Sequence, residues 1–392
     1  MRHRIIVLGA GYTGAVAAGR LARRLHREDV AITLVNAEPD FVERVRMHQL
    51  AVGQELKPRP LGVMFADSGV ELRHAKVTGV DVEGASVDIT GDGGAEALTF
   101  DTLVYALGSR WHTHGIPGVA EHAHEIASRP GALRLRARLA GLEAGQAVVV
   151  VGGGLTGLEA VTEIAESRPD LDVALAAQGG LGDWLSARGR RHVRKVFDRL
   201  GITVHEHSAV TAVEPDQVST ADGGSLPAAV TVWTAGFAVH TIARATALEV
   251  GDSGQIVVDA TMRSVSHPNV YAIGDAALVA GPGDKPLRMS CASGVPTAWQ
   301  AADAVAARLT GGRIPKTRAR YFNQCVSLGR REGLIQYVSA DDVSHRAALS
   351  GRFAALYKEL VCKGAAWGVA NPTLGLPTRR RRMVRELIPQ DH

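Results

Sequence analysis

The chain has 392 residues, 46% of them hydrophobic and 21% charged, so two or three globular domains are expected. The formal charge of +4 is not arranged as a basic stripe interleaved with aromatic residues, and no stretch reaches the roughly 18 apolar residues of a membrane span. These features argue against a nucleic-acid-binding or membrane-spanning protein. The three cysteines are far apart and form no Cys-x-x-Cys pair, so we expect no disulfide framework, no metal site and a reducing cytoplasmic location.

The first predicted element is a buried strand over residues 4–8, followed by a loop with glycines at positions 9, 11 and 14. A helix over 15–24 and a second strand over 32–35 come next. In such a unit the first glycine permits a tight turn, the second admits a pyrophosphate, and the third lets helix and strand pack closely. Because a helix N-terminus offers unbonded N–H groups and a partial positive charge, this loop is expected to bind a dinucleotide.

The same order of elements recurs later in the chain. A strand over 147–151 leads into a loop over 152–157, a helix to about residue 166 and a strand over 173–176. Glycine-rich turns near residues 91–94 and 222–224 predict a small β-meander after each copy. One three-glycine pattern is weak evidence, but two, each placed between a strand and a helix, predict two dinucleotide-binding domains. The expected fold class is therefore α/β, with two Rossmann-like domains, each with a β-meander, and a small C-terminal α+β region.

A third motif, over residues 267–277, is a strand that ends in Gly274-Asp275. With this motif the chain resembles the FAD-dependent pyridine-nucleotide oxidoreductases, within them the type II NADH dehydrogenase-like branch. The resemblance covers about residues 4–310 and implies FAD at the N-terminal loop and NADH or NADPH at the second loop. Residues 296–300 resemble the family's helix start, whose N–H groups face the flavin and favour the negative charge of its reduced form.

The resemblance also implies the residues that contact each nucleotide. For FAD they are Gly9, Gly11, Tyr12, Thr13, Gly14, Asn36, Arg44, Val77, Ala106, Gly108, Gly274, Asp275, Thr297 and Ala298. For the nicotinamide nucleotide they are Gly152, Gly154, Leu155, Thr156, Gly157, Ala235 and Gly236. Asn36 stands where the family has an acidic ribose ligand, and Glu38 is an alternative contact. Residues 177–180 contain neither a carboxylate typical of NADH binding nor an arginine for NADPH. Gly157 favours NADH, whereas the arginines at 188, 190 and 191 keep NADPH open.

Disulfide reductases of this architecture carry a cysteine pair in the stretch that corresponds to residues 41–50, and this chain has none there. We therefore expect electrons to leave the flavin directly for an acceptor, without disulfide exchange. Glu159 matches the family's glutamate near the nicotinamide and flavin and is the candidate catalytic residue; the alternative is an acid that only stabilises the helix N-terminus. Arg44, His48 and Gln49 either contact FAD or substrate or form one polar helix face.

The predicted domains are an FAD domain over 1–112 and 242–318, an NAD(P)H domain over 113–241, and a C-terminal region over 319–392. In the last region we expect two strands around residues 329–333 and an amphipathic helix. The apolar positions of that helix are Phe353, Leu356, Tyr357, Leu360 and Val361. The four arginines at 379–382, with apolar residues at 383, 384, 387 and 388, suit peripheral contact with the inner face of a membrane. Alternatively, this tail packs on its own domain or on a dimer mate.

The expected function is an FAD-dependent NAD(P)H oxidoreductase that passes two electrons to a quinone-like or other small organic acceptor. A biosynthetic flavin oxidoreductase acting on a small metabolite is the main alternative, because it would share the same half-reaction with NAD(P)H. A module that senses FAD and NAD(P)H without turnover is a third reading, because it would need the same two loops.

Overall fold

The computed structural model describes residues 1–314, 319–375 and 378–384. The first part of the chain forms strands and helices of a first domain. Its strands are β1 (His3–Leu8), β2 (Val30–Asn36), β3 (Val70–Asp81), β4 (Ser86–Gly91), β5 (Gly94–Thr99), β6 (Thr102–Tyr105) and β7 (Ser109–Trp111). Its helices are α1 (Tyr12–Arg24), α2 (Met47–Ala51) and α3 (Leu61–Met64). Strands β1, β2, β3 and β6 are parallel, and the antiparallel meander of β3, β4 and β5 extends the sheet.

The middle of the chain forms a second domain. Its strands are β8 (Ala123–Glu125), β9 (Ala147–Val151), β10 (Asp172–Ala176), β11 (Thr203–His205), β12 (Val210–Val213), β13 (Gln217–Thr220), β14 (Ser225–Pro227), β15 (Val230–Trp233) and β16 (Phe237–Val239). Its helices are α4 (Val119–His122), α5 (Arg129–Ala140), α6 (Leu155–Ser167) and α7 (Ala187–Leu200). The parallel sheet has the order β11-β10-β9-β15-β8, and β12, β13 and β14 form the antiparallel meander.

The chain then returns to the first domain through β17 (Ile256–Val257), β18 (Val270–Ala272), β19 (Ala277–Leu278) and helix α8 (Cys291–Thr310). Strand β18 completes the first sheet, whose order is β18-β6-β1-β2-β3-β4-β5. The chain passes from the first domain to the second at β7 and returns after β16. These two strands pair antiparallel, with Trp111 opposite Phe237. The predicted α/β fold with two Rossmann-like domains is confirmed.

The C-terminal region contains strands β20 (Asn323–Ser327), β21 (Gly333–Val338) and β22 (Ser344–Ser350), followed by helix α9 (Arg352–Ala370). Val326 and Leu334 pack in the core of the second domain, whereas Ala366 and Val369 pack in the core of the first. Met47, which lies in the segment expected to belong to the FAD domain, also packs in the second core. The C-terminal region and α2 therefore join the two domains rather than stand apart from them.

Helix α8 begins earlier than the sequence predicts. The expectation was a helix start at Pro296, but the helix begins at Cys291 and Pro296 lies in its second turn. The cause is Ser290, whose hydroxyl accepts a hydrogen bond from the N–H of Ser293 and caps the helix. The unbonded N–H groups of this helix are therefore those near Cys291 and Ala292.

Three of the five apolar residues used to predict α9 lie on its outer face, whereas Tyr357 is partly buried and Val361 lines a cavity. Phe353, Leu356 and Leu360 are 64%, 58% and 58% exposed, whereas Ala354 and Ala366 are fully buried. The small side of α9 packs on the alanine-rich helix α1, because small residues allow two helices to approach closely. The large apolar side chains are left on the surface.

The tail arginines pack on the first domain. Arg382 forms ion pairs with Glu28 and Asp29, and Arg380 donates a hydrogen bond to the carbonyl of Ala22. The apolar residues at 387 and 388, expected to take part in membrane contact, lie outside the described residues. Within the described ranges, no helix is both long enough and apolar enough to cross a membrane.

Candidate active site

One cavity of about 1430 Å³ runs between the two domains and the C-terminal region. The first glycine loop, the second glycine loop, the start of α8 and the inner side of α9 all contribute to its wall. These segments are widely separated in sequence. The fold therefore places the two predicted nucleotide loops at a common space, which is large enough for extended ligands.

The first glycine loop has the geometry of a phosphate-binding turn. Gly9 has a φ of +90°, and a Cβ there would lie 2.5 Å from the carbonyl oxygen of Ala106. A Cβ on Gly14 would lie 1.8 Å from the carbonyl oxygen of Gly9, so only glycine lets α1 pack this close. Around a Cβ on Gly11, in contrast, no described atom lies within 4 Å. The open space beside Gly11, at the N-terminus of α1, suits a pyrophosphate.

The second glycine loop repeats this geometry. Gly152 has a φ of +123°, and a Cβ on Gly157 would lie 1.8 Å from the carbonyl oxygen of Gly152. A Cβ on Gly154 would have no neighbour within 4 Å among the described residues. Leu155 and Thr156, at the start of α6, line the cavity with Ala235 and Gly236. In both loops the first and last glycines are tightly packed, whereas Gly11 and Gly154 between them face open space.

Asn36 holds the first loop in place. Its side-chain oxygen accepts a hydrogen bond of 2.8 Å from the N–H of Ala10, and its amide donates one of 2.8 Å to the carbonyl of Glu38. Both ends of the amide are thus used within the protein. Asn36 and Glu38 both line the cavity, so the two alternative ribose contacts given by the sequence stay predictions.

A polar network joins Arg44, Ser109 and Asp275 in the cavity wall. The Arg44 guanidinium donates hydrogen bonds of 2.8 and 3.0 Å to the carbonyl and hydroxyl of Ser109, and that hydroxyl donates to Asp275 at 2.6 Å. Burial lowers the pKa of Arg44, which nevertheless stays charged. Its buried Nη2 atom has no hydrogen-bond partner in the described part of the chain. An orphaned donor, the start of α8 and the open Gly11 loop together fit FAD.

Several predicted FAD residues lie behind the cavity wall. Gly274 donates a hydrogen bond of 3.1 Å to the hydroxyl of Thr297, which in turn donates to the carbonyl of Gly294 at 2.7 Å. Ala298 is fully buried, and Val77 pairs with Ile89 inside the first sheet. Six predicted contact residues are absent from the cavity wall as described. They are Gly14, Val77, Gly157, Gly274, Thr297 and Ala298. Their contacts within the protein show how they shape the site, and their predicted contacts with the nucleotides stay predictions.

The other predicted contact residues do line the cavity. They are Gly9, Gly11, Tyr12, Thr13, Asn36, Arg44, Ala106, Gly108, Asp275, Gly152, Gly154, Leu155, Thr156, Ala235 and Gly236. Gln178 also lines it, whereas the arginines at 188, 190 and 191 are not among the described wall residues. Arg190 instead lies 3.6 Å from the carboxylate of Asp183. This arrangement favours NADH over NADPH, because no cation of this group faces the cavity.

Glu159 forms a buried ion pair at the end of the cavity next to α9. Its Oε1 atom accepts hydrogen bonds from Lys358 Nζ at 2.9 Å and from the N–H of Ser327 at 3.0 Å. Lys358 also donates to the carbonyl of Cys325 at 3.1 Å. We call this part of the wall, made of Glu159, Cys325, Lys358 and Cys362, the α9 end.

The electrostatics of the α9 end keep Lys358 charged and His48 neutral. Burial opposes the charge of Lys358, but the Glu159 carboxylate and the nearby thiols raise its pKa above the usual value. Burial lowers the pKa of His48 to about 4, although its Nδ1 atom lies 4.0 Å from Glu159. Burial likewise raises the pKa of Cys362 to about 11, so this thiol stays protonated at neutral pH.

Sequence reasoning missed Lys358 and the cysteines. Ala354, Lys358, Cys362 and Ala366 recur every four residues and form the inner face of α9. A lysine within a row of small residues on one helix face is the pattern that indicates a buried functional lysine. Cys291, Cys325 and Cys362 are far apart in sequence but all line the cavity, where they are free thiols. Only the fold brings these groups together.

Comparisons with known proteins show the family of the chain. The family model described as pyridine nucleotide-disulphide oxidoreductase matches residues 3–306. An NADH dehydrogenase-like protein of Mycobacterium tuberculosis is 30% identical over 318 residues, which are 75% of this chain and 77% of that protein. Demethylphylloquinone reductase of a Synechocystis strain is 28% identical over 310 residues, covering 70% and 72%.

The structure of NDH2 from Plasmodium falciparum in complex with NADH superposes with a TM-score of 0.77 at 14% identity, over 97% of this chain and 99% of that one. At this level of identity the superposition shows a shared fold. The resemblance predicted from the sequence is confirmed by the family model and the M. tuberculosis relative. The chain belongs to the pyridine nucleotide-disulphide oxidoreductase family.

Proposed function

We propose that this FAD-dependent NADH oxidoreductase passes its electrons to a quinone, in the reaction NADH + H⁺ + quinone → NAD⁺ + quinol. The observation that carries the proposal is Lys358. Two of its three N–H donors are directed at Glu159 and the carbonyl of Cys325, and the third has no acceptor in the described part of the chain. A buried ammonium group with one donor left over, in the wall of the nucleotide cavity, suits a carbonyl oxygen that gains negative charge on reduction.

FAD, when bound, supplies the two-electron chemistry between NADH and the acceptor. The protein positions the reactants. Gly11 and Gly154 leave room for phosphates at the starts of α1 and α6, and Arg44 offers its unpaired donor to a polar group. The free N–H groups near Cys291 stabilise negative charge in front of α8.

The wall near the α9 end suits an aromatic ring. Val361, one turn from Lys358 on α9, contributes apolar surface there, and Trp299, Ala365 and Leu374 add apolar surface elsewhere in the cavity wall. Apolar side chains around a few polar groups are typical of small-molecule sites. The names of two relatives support a quinone, because one is a demethylphylloquinone reductase and another is a type II NADH:quinone oxidoreductase of M. tuberculosis.

The outer face of α9 extends this proposal to the membrane. Leu360 and Trp367 are 58% and 50% exposed, and they lie on the helix whose neighbouring residues Val361 and Gly368 line the cavity. Hydrophobic quinones partition into lipid. An exposed apolar helix face next to the cavity would let the protein lie on a membrane while taking up such an acceptor.

The test replaces Lys358 by methionine, with Lys363→Met as the matched control on the exposed side of the same helix, where the Lys363 side chain is 65% exposed. The Lys358 variant should keep anaerobic flavin bleaching by NADH and lose about 100-fold in kcat with a short-chain quinone, because it lacks one preorganised donor. Lys363→Met should match the wild type. Adding Glu159→Gln to the Lys358 variant checks that an unpaired buried carboxylate is not the cause of the loss.

Equal quinone rates in the wild type and the Lys358 variant would contradict the proposal. Wild-type protein that is bleached by NADH but does not reduce quinones would favour the other expectation from the sequence, an enzyme acting on a specific small metabolite.

A further inference from the structure

Three glutamates form a row along one side of α6. Glu159, Glu163 and Glu166 are spaced by four and three residues, so their side chains lie on the same face of the helix. Glu159 lines the cavity, Glu163 is fully buried, and Glu166 is partly exposed at the end of the helix. The row therefore leads from the α9 end of the cavity through the protein to its surface.

The turn after β20 follows the same row. Ser327 donates its N–H to Glu159, the Arg330 guanidinium lies 3.8 Å from Glu163, and the Arg330 N–H donates to Glu166. Arg330 itself has 56% of its side chain exposed. Glu159 and Glu166 thus accept hydrogen bonds from one short segment, which also places a guanidinium near Glu163. The outermost of these contacts lies at the protein surface.

Glu163 is the unusual member of the row. Its Oε1 atom accepts a hydrogen bond from the amide of Gln54, but its buried Oε2 atom has no hydrogen-bond partner among the described residues. A buried, half-satisfied carboxylate is costly when charged. Burial raises the pKa of Glu163 to about 7. The nearby carboxylates of Glu166 and Glu159 also raise this pKa, whereas Gln54 and Arg330 lower it. The side chain therefore exchanges its proton near neutral pH.

The proposed reaction needs such a group. NADH provides two electrons and one proton, whereas a quinone takes up two electrons and two protons to become a quinol. One proton per turnover must therefore come from solvent to the α9 end. Lys358 cannot readily supply it, because its pKa is raised and its ammonium is paired with Glu159.

We propose that Glu163 is a proton-relay residue, which passes protons from the surface near Glu166 and Arg330 to Glu159 at the α9 end. This inference rests on the proposed quinone reduction. Glu163 gives the proton of its carboxyl group to Glu159, whose other neighbours are Lys358 and His48. Glu159 passes this proton to the oxygen of the reduced quinone, and Glu163 is reloaded with a proton from solvent. Glu163 does not line the cavity as described, so it acts through Glu159 and is not in contact with the acceptor.

The test compares two acceptors in the holoprotein. Ferricyanide accepts electrons without protons, whereas a short-chain quinone needs both. The Glu163→Gln variant keeps the shape of the side chain and an acceptor for Gln54 but cannot release a proton from a carboxyl group. Its kcat with quinone should fall about tenfold or more, since positioned proton transfer contributes about 100-fold or more. Its ferricyanide rate and its flavin bleaching by NADH should stay at wild-type values.

The pH profile supplies a readout that a structural defect would not reproduce. Wild-type quinone turnover should fall as the pH rises through about 7, where Glu163 loses its proton, and Glu163→Gln should lack this inflection. Glu143→Gln is the control, because Glu143 is exposed and lies outside the row and the described cavity wall, and it should keep the wild-type quinone rate and inflection.

An unchanged quinone rate and pH profile in Glu163→Gln would overturn the relay. An equal loss with ferricyanide and quinone would overturn it too, since the defect would then be structural. A wild-type protein that reduces ferricyanide but no quinone would instead refute the proposed function, which is a distinct result.

Discussion

Two glycines of the first loop, three residues apart, should fail in different ways when substituted. In Gly11→Val the new side chain enters open space, because a Cβ at this position has no described atom within 4 Å. The backbone there is extended, with φ of −68° and ψ of −170°, which valine adopts without strain. In Gly14→Ala the Cβ would lie 1.8 Å from the carbonyl oxygen of Gly9, so backbone must move.

These geometries set the expected magnitudes. Gly11→Val loses only a helix-capping preference in the cofactor-free protein, which costs about 1 kcal/mol or less of unfolding free energy. Gly14→Ala forces a backbone shift between α1 and β1 and should cost about 3 kcal/mol. FAD binding, in contrast, should be lost in Gly11→Val, because the valine side chain fills the space that suits the pyrophosphate. At a free FAD concentration of about 100 times its Kd, losing the cofactor removes about 2.7 kcal/mol of stabilisation.

The assay measures flavin per protein after purification and then the unfolding free energy of the cofactor-free proteins in denaturant. We expect Gly11→Val to be colourless yet nearly as stable as the wild-type apoprotein, and Gly14→Ala to be unstable even without cofactor. Full FAD occupancy in Gly11→Val would refute the assignment of this loop to FAD. A Gly11→Val apoprotein as unstable as Gly14→Ala would refute the steric reasoning.

Two further predictions concern pH and membranes. Folding raises the pKa of Glu163 from 4.5 to about 7, so its contribution to the unfolding free energy is lost as pH rises through that range. His48 acts in the opposite direction. Folding lowers its pKa from 6.5 to about 4, so its contribution to the unfolding free energy is lost as pH falls through that range. Glu163→Gln removes the Glu163 effect, so between pH 4.5 and 7 its unfolding free energy should rise by about 3 kcal/mol more than that of the wild type. Identical pH dependences of the two proteins in denaturant titrations would contradict this. The intact protein should sediment with anionic vesicles, and Leu356→Glu combined with Leu360→Glu should abolish this because both side chains are exposed. Arg382→Gln should have little effect, since that arginine is paired within the protein, and the reverse outcome would restore the tail as the membrane contact.

The nucleotide half of the site could be predicted from sequence because it depends on local backbone geometry. Residues 147–151 were expected as a strand, and β9 has those bounds. Gly9 and Gly152 both take a positive φ, which a side chain would strain, so the requirement is visible in the sequence as glycine. A loop that binds phosphates through its own N–H groups leaves a short, contiguous pattern.

The start of α8 and the orientation of α9 could not be predicted in the same way. Pro296 favours a first helical turn, but the hydroxyl of Ser290 caps the helix one turn and a half earlier. In α9 the large apolar row suggested a buried face, yet the alanine-rich surface of α1 accepts the side with Ala366 and Val369. Both outcomes depend on a partner that periodicity within one segment does not reveal.

The acceptor half of the proposed site depends on side chains that meet only in the folded chain. Glu159 comes from a family motif on α6, but Lys358, its ion-pair partner, lies in the segment with the least family resemblance. A buried ammonium such as that of Lys358 needs a partner, because an isolated buried charge costs more than the fold can supply. A lysine on the inner face of α9 therefore required a carboxylate from elsewhere, and Glu159 meets that requirement. The requirement of Lys358 for a carboxylate partner links α9 to α6. It also links the C-terminal region to the nucleotide cavity.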